Sequence, residues 1–270
     1  MVLTMSTNEN YLYHYTNVSS LAMILKNRSI RFSPLPLLDD KEEQMHNDPK
    51  NYSKYVFVSS WTDTDVESIP MWKMYTLPME GVRIKLPKYP FCKYKLTTES
   101  TMGLIDVKDP DELDIVVSVK ELFNPNYTIL TYMHNNILIP VEYTDDPNKL
   151  VPKIVHSTSQ EINIGMGKLG RCKNKYWDFQ SEWRYVLRFF PISLIKLMTE
   201  KDDVEMSKII NCLDLPFNYY FLKLDDEKFN EMEITLSPQI NDGNREIVKL
   251  LVEKYNPGIK INESLLFGKI

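Results

Sequence analysis

The sequence predicts an α+β fold in a single domain spanning residues 1–270, with an insertion at about 88–150. Short strand-like runs mix with short helix-like runs, without the regular alternation of a doubly wound sheet. No internal repeat and no low-complexity linker divides the chain. Hydrophobic residues make up 43% of the 270 and charged residues 26%, enough to build a core without disulfides or metals.

Tyr11–Thr16 is aromatic and β-branched and reads as the first strand. Leu21, Ile24 and Leu25 recur at helical spacing, so 18–25 reads as a short helix. A second strand over 29–33 is closed by Pro34 and Pro36. Asp39, Asp40, Glu42 and Glu43 have the pattern of a capped helix start with acids in its first turn. Residues 55–61 form a strong strand, and Pro70 opens a short helix carrying Trp72 and Tyr75. Gly81 leads into a strand over 82–86. In the middle, 140–143 reads as a strand and 149–162 as a helix. Along Glu182–Phe190, Trp183, Tyr185, Leu187 and Phe189 share one face, with Arg184 and Arg188 on the other. Strands follow at 219–224 and 232–236. An amphipathic helix over 244–255 presents Ile247, Val248, Leu250 and Leu251, and Pro257 and Gly258 stop it.

Lys plus Arg number 32 against 37 Asp plus Glu, a net charge of −5. That excludes a polybasic protein while allowing a local basic patch. Apolar stretches break before ~18 residues, and 1–10 lacks the basic and apolar blocks of a secretory signal, so no membrane partner is expected. Cys92, Cys172 and Cys212 are few and far apart, which fits a reducing, cytoplasmic compartment. His14, His46, His134 and His156 lack metal-ligand spacing, so no metal is expected. Gly165, Gly167 and Gly170 spell GxGxxG, but Arg171, Cys172, Lys173, Asn174 and Lys175 follow in place of an apolar helix. A mobile loop is the expectation there.

Three segments carry chemistry: Leu12-Tyr13-His14-Tyr15-Thr16; the strand ending Ser59-Ser60-Trp61 with Pro70-Met71-Trp72-Lys73-Met74-Tyr75; and Gln180-Ser181-Glu182-Trp183-Arg184. Each has a plain structural reading as well. His14 fits a core histidine, Trp72 and Tyr75 fit helix packing, and Glu182 fits an ion pair with a nearby Arg. Together, the HYT, PMWxxY and EWR motifs resemble those of an uncharacterised bacterial family. That family is similar to the ADP-ribosyltransferase fold of the diphtheria-toxin and poly-ADP-ribose-polymerase branch, and the likeness runs from 11 to about 261.

The resemblance implies two small packed sheets with short helices, and NAD as co-substrate. It implies that His14 holds the adenosine ribose, that the Tyr15 backbone takes the nicotinamide amide, and that Thr16 is the small hydroxyl residue of the site. In that branch a Gly usually follows the His; here Tyr15 does. Ser59 and Ser60 would brace the site, Tyr75 would stack on nicotinamide with Trp72 as competitor, and Glu182 would be the catalytic carboxylate. Gln180, two residues earlier, would face the acceptor. The residue types suit the reaction. Breaking the nicotinamide–ribose bond builds positive charge on the sugar, and a carboxylate on the 2′-hydroxyl strengthens as that charge develops. Arg31 offers a bidentate donor for pyrophosphate, or is a plain surface charge.

In the resembled fold the loop before the Glu meets the acceptor. Here that loop, 165–180, carries Lys168, Arg171, Lys173, Lys175, Tyr176 and Trp177. Basic residues interleaved with aromatics suit RNA or DNA over protein, although a solvated charge run is the commoner origin. The expected function is mono-ADP-ribosylation of a macromolecule, in the setting of a toxin or phage-defence system with an antitoxin partner. The alternatives are an inert nucleotide- or partner-binding module and an NAD glycohydrolase.

Overall fold

The computed structural model describes residues 10–48, 51–101, 113–158, 162–199 and 213–270. Among them, ten strands share one hydrogen-bonded sheet: β1 (Tyr11–Thr16), β2 (Ser29–Pro34), β3 (Val56–Thr62), β4 (Val82–Pro87), β5 (Thr128–Ile129), β6 (Leu138–Pro140), β7 (Glu182–Phe190), β8 (Tyr220–Lys223), β9 (Glu233–Leu236) and β10 (Lys260–Asn262). The longer helices are α1 (Val18–Asn27), α2 (Ile69–Tyr75) and α3 (Asp242–Tyr255). Three two-stranded sheets complete a mixed α+β architecture. No helix of the described residues is long and apolar enough to cross a membrane.

β3 organises the sheet. One edge pairs with β7 over seven positions, from Glu182 opposite Thr62 to Arg188 opposite Val56. The other edge is divided: β2 pairs at Ser33–Val58 and Pro34–Phe57, and β1 pairs at Tyr13–Thr62. β1 and β2 therefore diverge along the same edge, and Ser59, Ser60 and Trp61 lie in the fork. The two halves expected as separate packed sheets are joined through this strand.

Both faces of β3 and β7 are buried. Phe57, Trp61, Tyr185, Leu187 and Phe189 enter the larger core, whereas Val56, Val58 and Val186 enter a second one with Tyr52, Tyr55 and Ile154. Burial on both sides explains the consecutive apolar residues Val56, Phe57 and Val58 in β3 and Tyr185, Val186 and Leu187 in β7.

Local chemistry fixes the helices around the fork. Asn17 caps α1 by accepting from Ser20 N, and Leu21, Ile24 and Leu25 face inward. Ser68 accepts from Met71 N and Pro70 sits in the first turn, which starts α2. Gly81 precedes β4 because a Cβ there would come within 2.2 Å of the Thr16 carbonyl oxygen. Only a glycine allows that approach.

Several expectations need correction. The acid-rich start after Asp39 is a single 3₁₀ turn, Lys41–Gln44, capped by Asp40. The strand at 140–143 breaks into β6 and Glu142–Thr144, which leave in different directions to different partners. Among the described residues of 149–162 there is no long helix; Pro147–Leu150 is one turn, and Val155–Ser157 pairs with Ile162–Ile164. α3 buries Val248 and Val252, while Ile247 and Leu250 are 46% and 62% exposed. The glycine segment at 165–170 is a packed turn, with Met166 and Leu169 buried and Gly170 against Leu35 and Val56. Cys212 lies outside the described residues.

Candidate functional site

A cavity of about 740 Å³ fills the fork between β1 and β2. His14, Ser60, Tyr75, Gln180, Glu182 and Arg31 all line it, from segments distant in sequence. Met23, Leu37 and Met74 give its wall an apolar, partly exposed rim. A volume of this size, mostly apolar with a few converging polar groups, suits a small organic ligand.

His14 projects from β1 where that strand leaves β3. Its Nδ1 donates to the Ser60 carbonyl at 2.8 Å, and its ring lies 5.0 Å from that of Trp61. Burial lowers the pKa of the imidazole, the Ser60 bond opposes that, and the Arg31 charge adds to it. The ring is thus neutral, with the lone pair on Nε2. Ser59 braces the indole from the same face of β3, accepting from Trp61 Nε1 at 3.0 Å.

Glu182 opens β7 and is buried with two cations. Arg184 grips it through Nε–Oε1 at 2.6 Å and Nη2–Oε2 at 3.0 Å, and Lys173 Nζ lies 3.3 Å from Oε2. Burial alone would raise this carboxyl's pKa. The charges of Arg184 and Lys173, with bonds from Arg184 and Ser60, outweigh it and hold the group well below the ordinary carboxylate range. Glu182 is therefore an anion at neutral pH. Its backbone N–H donates to Tyr143 Oη at 2.8 Å, which anchors the start of the strand.

The guanidinium of Arg184 also bonds Glu43, from the Lys41–Gln44 turn. Lys173 completes the circle at 3.3 Å from Glu43 Oε1. Glu43, Arg184, Glu182 and Lys173 thus form a closed, buried ring of alternating charge. Two anions and two cations cancel, as burial demands.

A hydrogen-bonded line leads from this ring to the mouth. Lys173 Nζ donates to Gln180 Oε1 at 2.8 Å, Gln180 Nε2 to Tyr75 Oη at 2.6 Å, and Tyr75 Oη to Asp39 Oδ2 at 2.9 Å. Burial and the neighbouring Asp39 charge raise the pKa of the Tyr75 phenol, so it stays protonated. Gln180 is held at both ends.

His14, Tyr15, Thr16, Arg31, Ser59, Ser60, Tyr75, Gln180 and Glu182 all reach the cavity. Arg31 lies 4.7 Å from the Tyr219 ring, which also lines the wall. Trp72 does not reach it. That ring is 0% exposed, packs edge-on against Tyr15, and donates from Nε1 to Glu67 at 3.0 Å.

The expected basic patch is dispersed. Lys173 is 2% exposed and neutralised within the ring. Lys175 pairs with Asp145 at 2.5 Å, and Lys168 bonds the Lys153 carbonyl at 3.0 Å. Arg171 is exposed, and half-buried Trp177 supports the Lys173 ammonium at 4.5 Å. The alternation of strand Cys172–Asn174 turns Lys173 inward while its neighbours face outward.

Sequence reasoning assigned no site role to Glu43, Asp39 or Arg184. The signal for Arg184 was present, as a charged residue two places from Glu182 on one face of a buried strand. Glu43 had none beyond its acidic turn. Comparison with protein-family models, with curated proteins and with solved structures gives no match.

Proposed function

We propose that the protein is an NAD-dependent ADP-ribosyltransferase acting on a macromolecule, as the HYT, PMWxxY and EWR resemblance implies. One observation carries the reading: His14, Tyr75 and Glu182, residues of three separate segments, line one cavity at the fork of the sheet. Neutral His14 offers Nε2 to a ribose hydroxyl. Tyr75 offers an aromatic face to nicotinamide, and such stacking contributes about 0.5–1.5 kcal/mol beyond burial. Ionised Glu182 accepts the ribose 2′-hydroxyl as the C–N bond to nicotinamide breaks, and nicotinamide leaves with the bonding electrons. The acceptor's nucleophile, an N–H or O–H group, then bonds the sugar carbon and releases its proton to solvent.

A second reading has specific support. Gln180, expected to face the acceptor, is bonded to Lys173 and Tyr75, which leaves it one N–H and one carbonyl lone pair for any other partner. That favours water as the acceptor, hence an NAD glycohydrolase. Incubating labelled NAD and cell lysate with the protein separates these readings. Label in protein, RNA or DNA supports the transferase and identifies its acceptor class. Free ADP-ribose alone supports the glycohydrolase. No turnover by folded protein would leave an inert binding module.

A further inference from the structure

We infer that Glu43 is a positioning residue for Glu182, a role that rests on the transferase or glycohydrolase reading. The two carboxylates are 139 positions apart (182 − 43), yet they share the same two cations. Arg184 divides its guanidinium between them: Nη1 goes to Glu43, while Nε and Nη2 go to Glu182.

The consequence lies in the lone pairs of Glu182. Oε1 takes Arg184 Nε, and Oε2 takes both Arg184 Nη2 and Lys173 Nζ. A carboxylate has about four acceptor positions, so these three donors leave one on Oε1 for a ligand hydroxyl. The Lys173 contact, at 3.3 Å, is longer than either Arg184 bond. Lys173 also has Gln180 Oε1 at 2.8 Å and Glu43 Oε1 at 3.3 Å. Glu43 is thus the anion that retains the buried ammonium when Glu182 turns to substrate. Without it, Lys173 and Arg184 have only Glu182 to neutralise them. The ammonium then closes on the Glu182 carboxylate and competes with the hydroxyl for Oε1.

The test is a double-mutant cycle on the full chain: wild type, Glu43→Gln, Lys173→Met and the pair, each assayed for NAD turnover and thermal unfolding. Glu43→Gln leaves one uncompensated positive charge. It should lower kcat by about tenfold or more and leave KM for NAD within a factor of about two. Lys173→Met in that background restores neutrality, with Arg184 facing Glu182 alone, and should recover much of the lost kcat. A purely structural role predicts losses and recovery that track the folded fraction in the melts, with kcat per folded molecule unchanged in all four proteins. Unchanged kcat in folded Glu43→Gln, or no recovery in the folded double variant, would overturn the positioning role with the enzymatic reading intact. A folded wild type inert towards NAD would overturn the enzymatic reading and this role with it.

Discussion

Arg184 holds Glu182 two residues away on the same face of one strand, at 2.6 and 3.0 Å, and both side chains are buried. The pair is planar and two-pronged, the geometry in which a guanidinium fixes a carboxylate most firmly. It keeps the carboxylate ionised and sets its orientation at the fork. Arg184→Lys would lose the fork geometry, and Arg184→Ala would leave two buried carboxylates facing one ammonium. Removing one partner of a buried pair costs about 3–5 kcal/mol, so Arg184→Ala should unfold far below wild type in a thermal melt. An unchanged midpoint would contradict the buried ring.

Trp72 and Tyr75 lie one turn apart and should respond oppositely to substitution. Trp72→Ala removes a fully buried ring, and such truncations cost about 3–5 kcal/mol of stability. Its activity per folded molecule should be retained. Tyr75→Ala should raise KM for NAD with little loss of stability, because that ring lines the cavity. Tyr75→Phe keeps the ring and frees Gln180, so it separates stacking from the hydrogen-bonded line. Melting curves with steady-state kinetics on the three variants decide it.

The buried histidines give stability a pH slope. Burial lowers the pKa of His14, and the same cause leads for His46 and His134. Below the ordinary value of 6.5 the unfolded chain binds protons that the folded chain refuses. Stability is therefore fully present above that value and falls as pH descends through it, by up to about 1.4 kcal/mol per pH unit for each such group. Glu182, with its depressed pKa, contributes stability above 4.5 that is lost as pH falls further. Denaturant titrations between pH 5 and about 8 should show a shallower slope for His14→Gln than for wild type. Parallel slopes would refute the buried neutral imidazole.

Lys173 and Lys175, two residues apart in the 165–180 segment, make a contrasting pair, the first buried and the second exposed. Lys173→Glu adds a third carboxylate to the buried ring and should abolish folding at moderate temperature. Lys175→Glu breaks an exposed pair with Asp145, and such pairs are worth about 0–1 kcal/mol. Nucleic-acid contact is thus tested cleanly by Lys175→Glu with Arg171→Glu. Salt-dependent RNA binding that survives both changes would remove this surface as the acceptor platform.

Sequence reading recovered the elements whose pattern is local. β1, α1, β3, α2 and β7 follow from alternation, caps and helical spacing, and their residues His14, Tyr75 and Glu182 line one cavity. What it missed was long-range. Whether Lys173 faces solvent or core depends on the parallel pairing of Cys172–Asn174 with Glu142–Thr144, which no spacing reveals. Likewise, Glu43 looks like an ordinary acid in a helix's first turn until Arg184 is brought beside it. The helix expected over 149–162 gives way to the pairing of Val155–Ser157 with Ile162–Ile164, a contact that helical spacing does not reveal.

The most direct test is nicotinamide release from NAD by purified wild type and Glu182→Gln, with folding of both checked by thermal melt. His14→Gln serves as a second variant, since Glu182→Gln alters the buried charge balance. Wild type should release nicotinamide, and folded Glu182→Gln should lose on the order of 100-fold or more, because the carboxylate's stabilising interaction is made with the developing positive charge. Equal release by wild type and both folded variants, or none by any of them, would rule out Glu182 as the catalytic carboxylate.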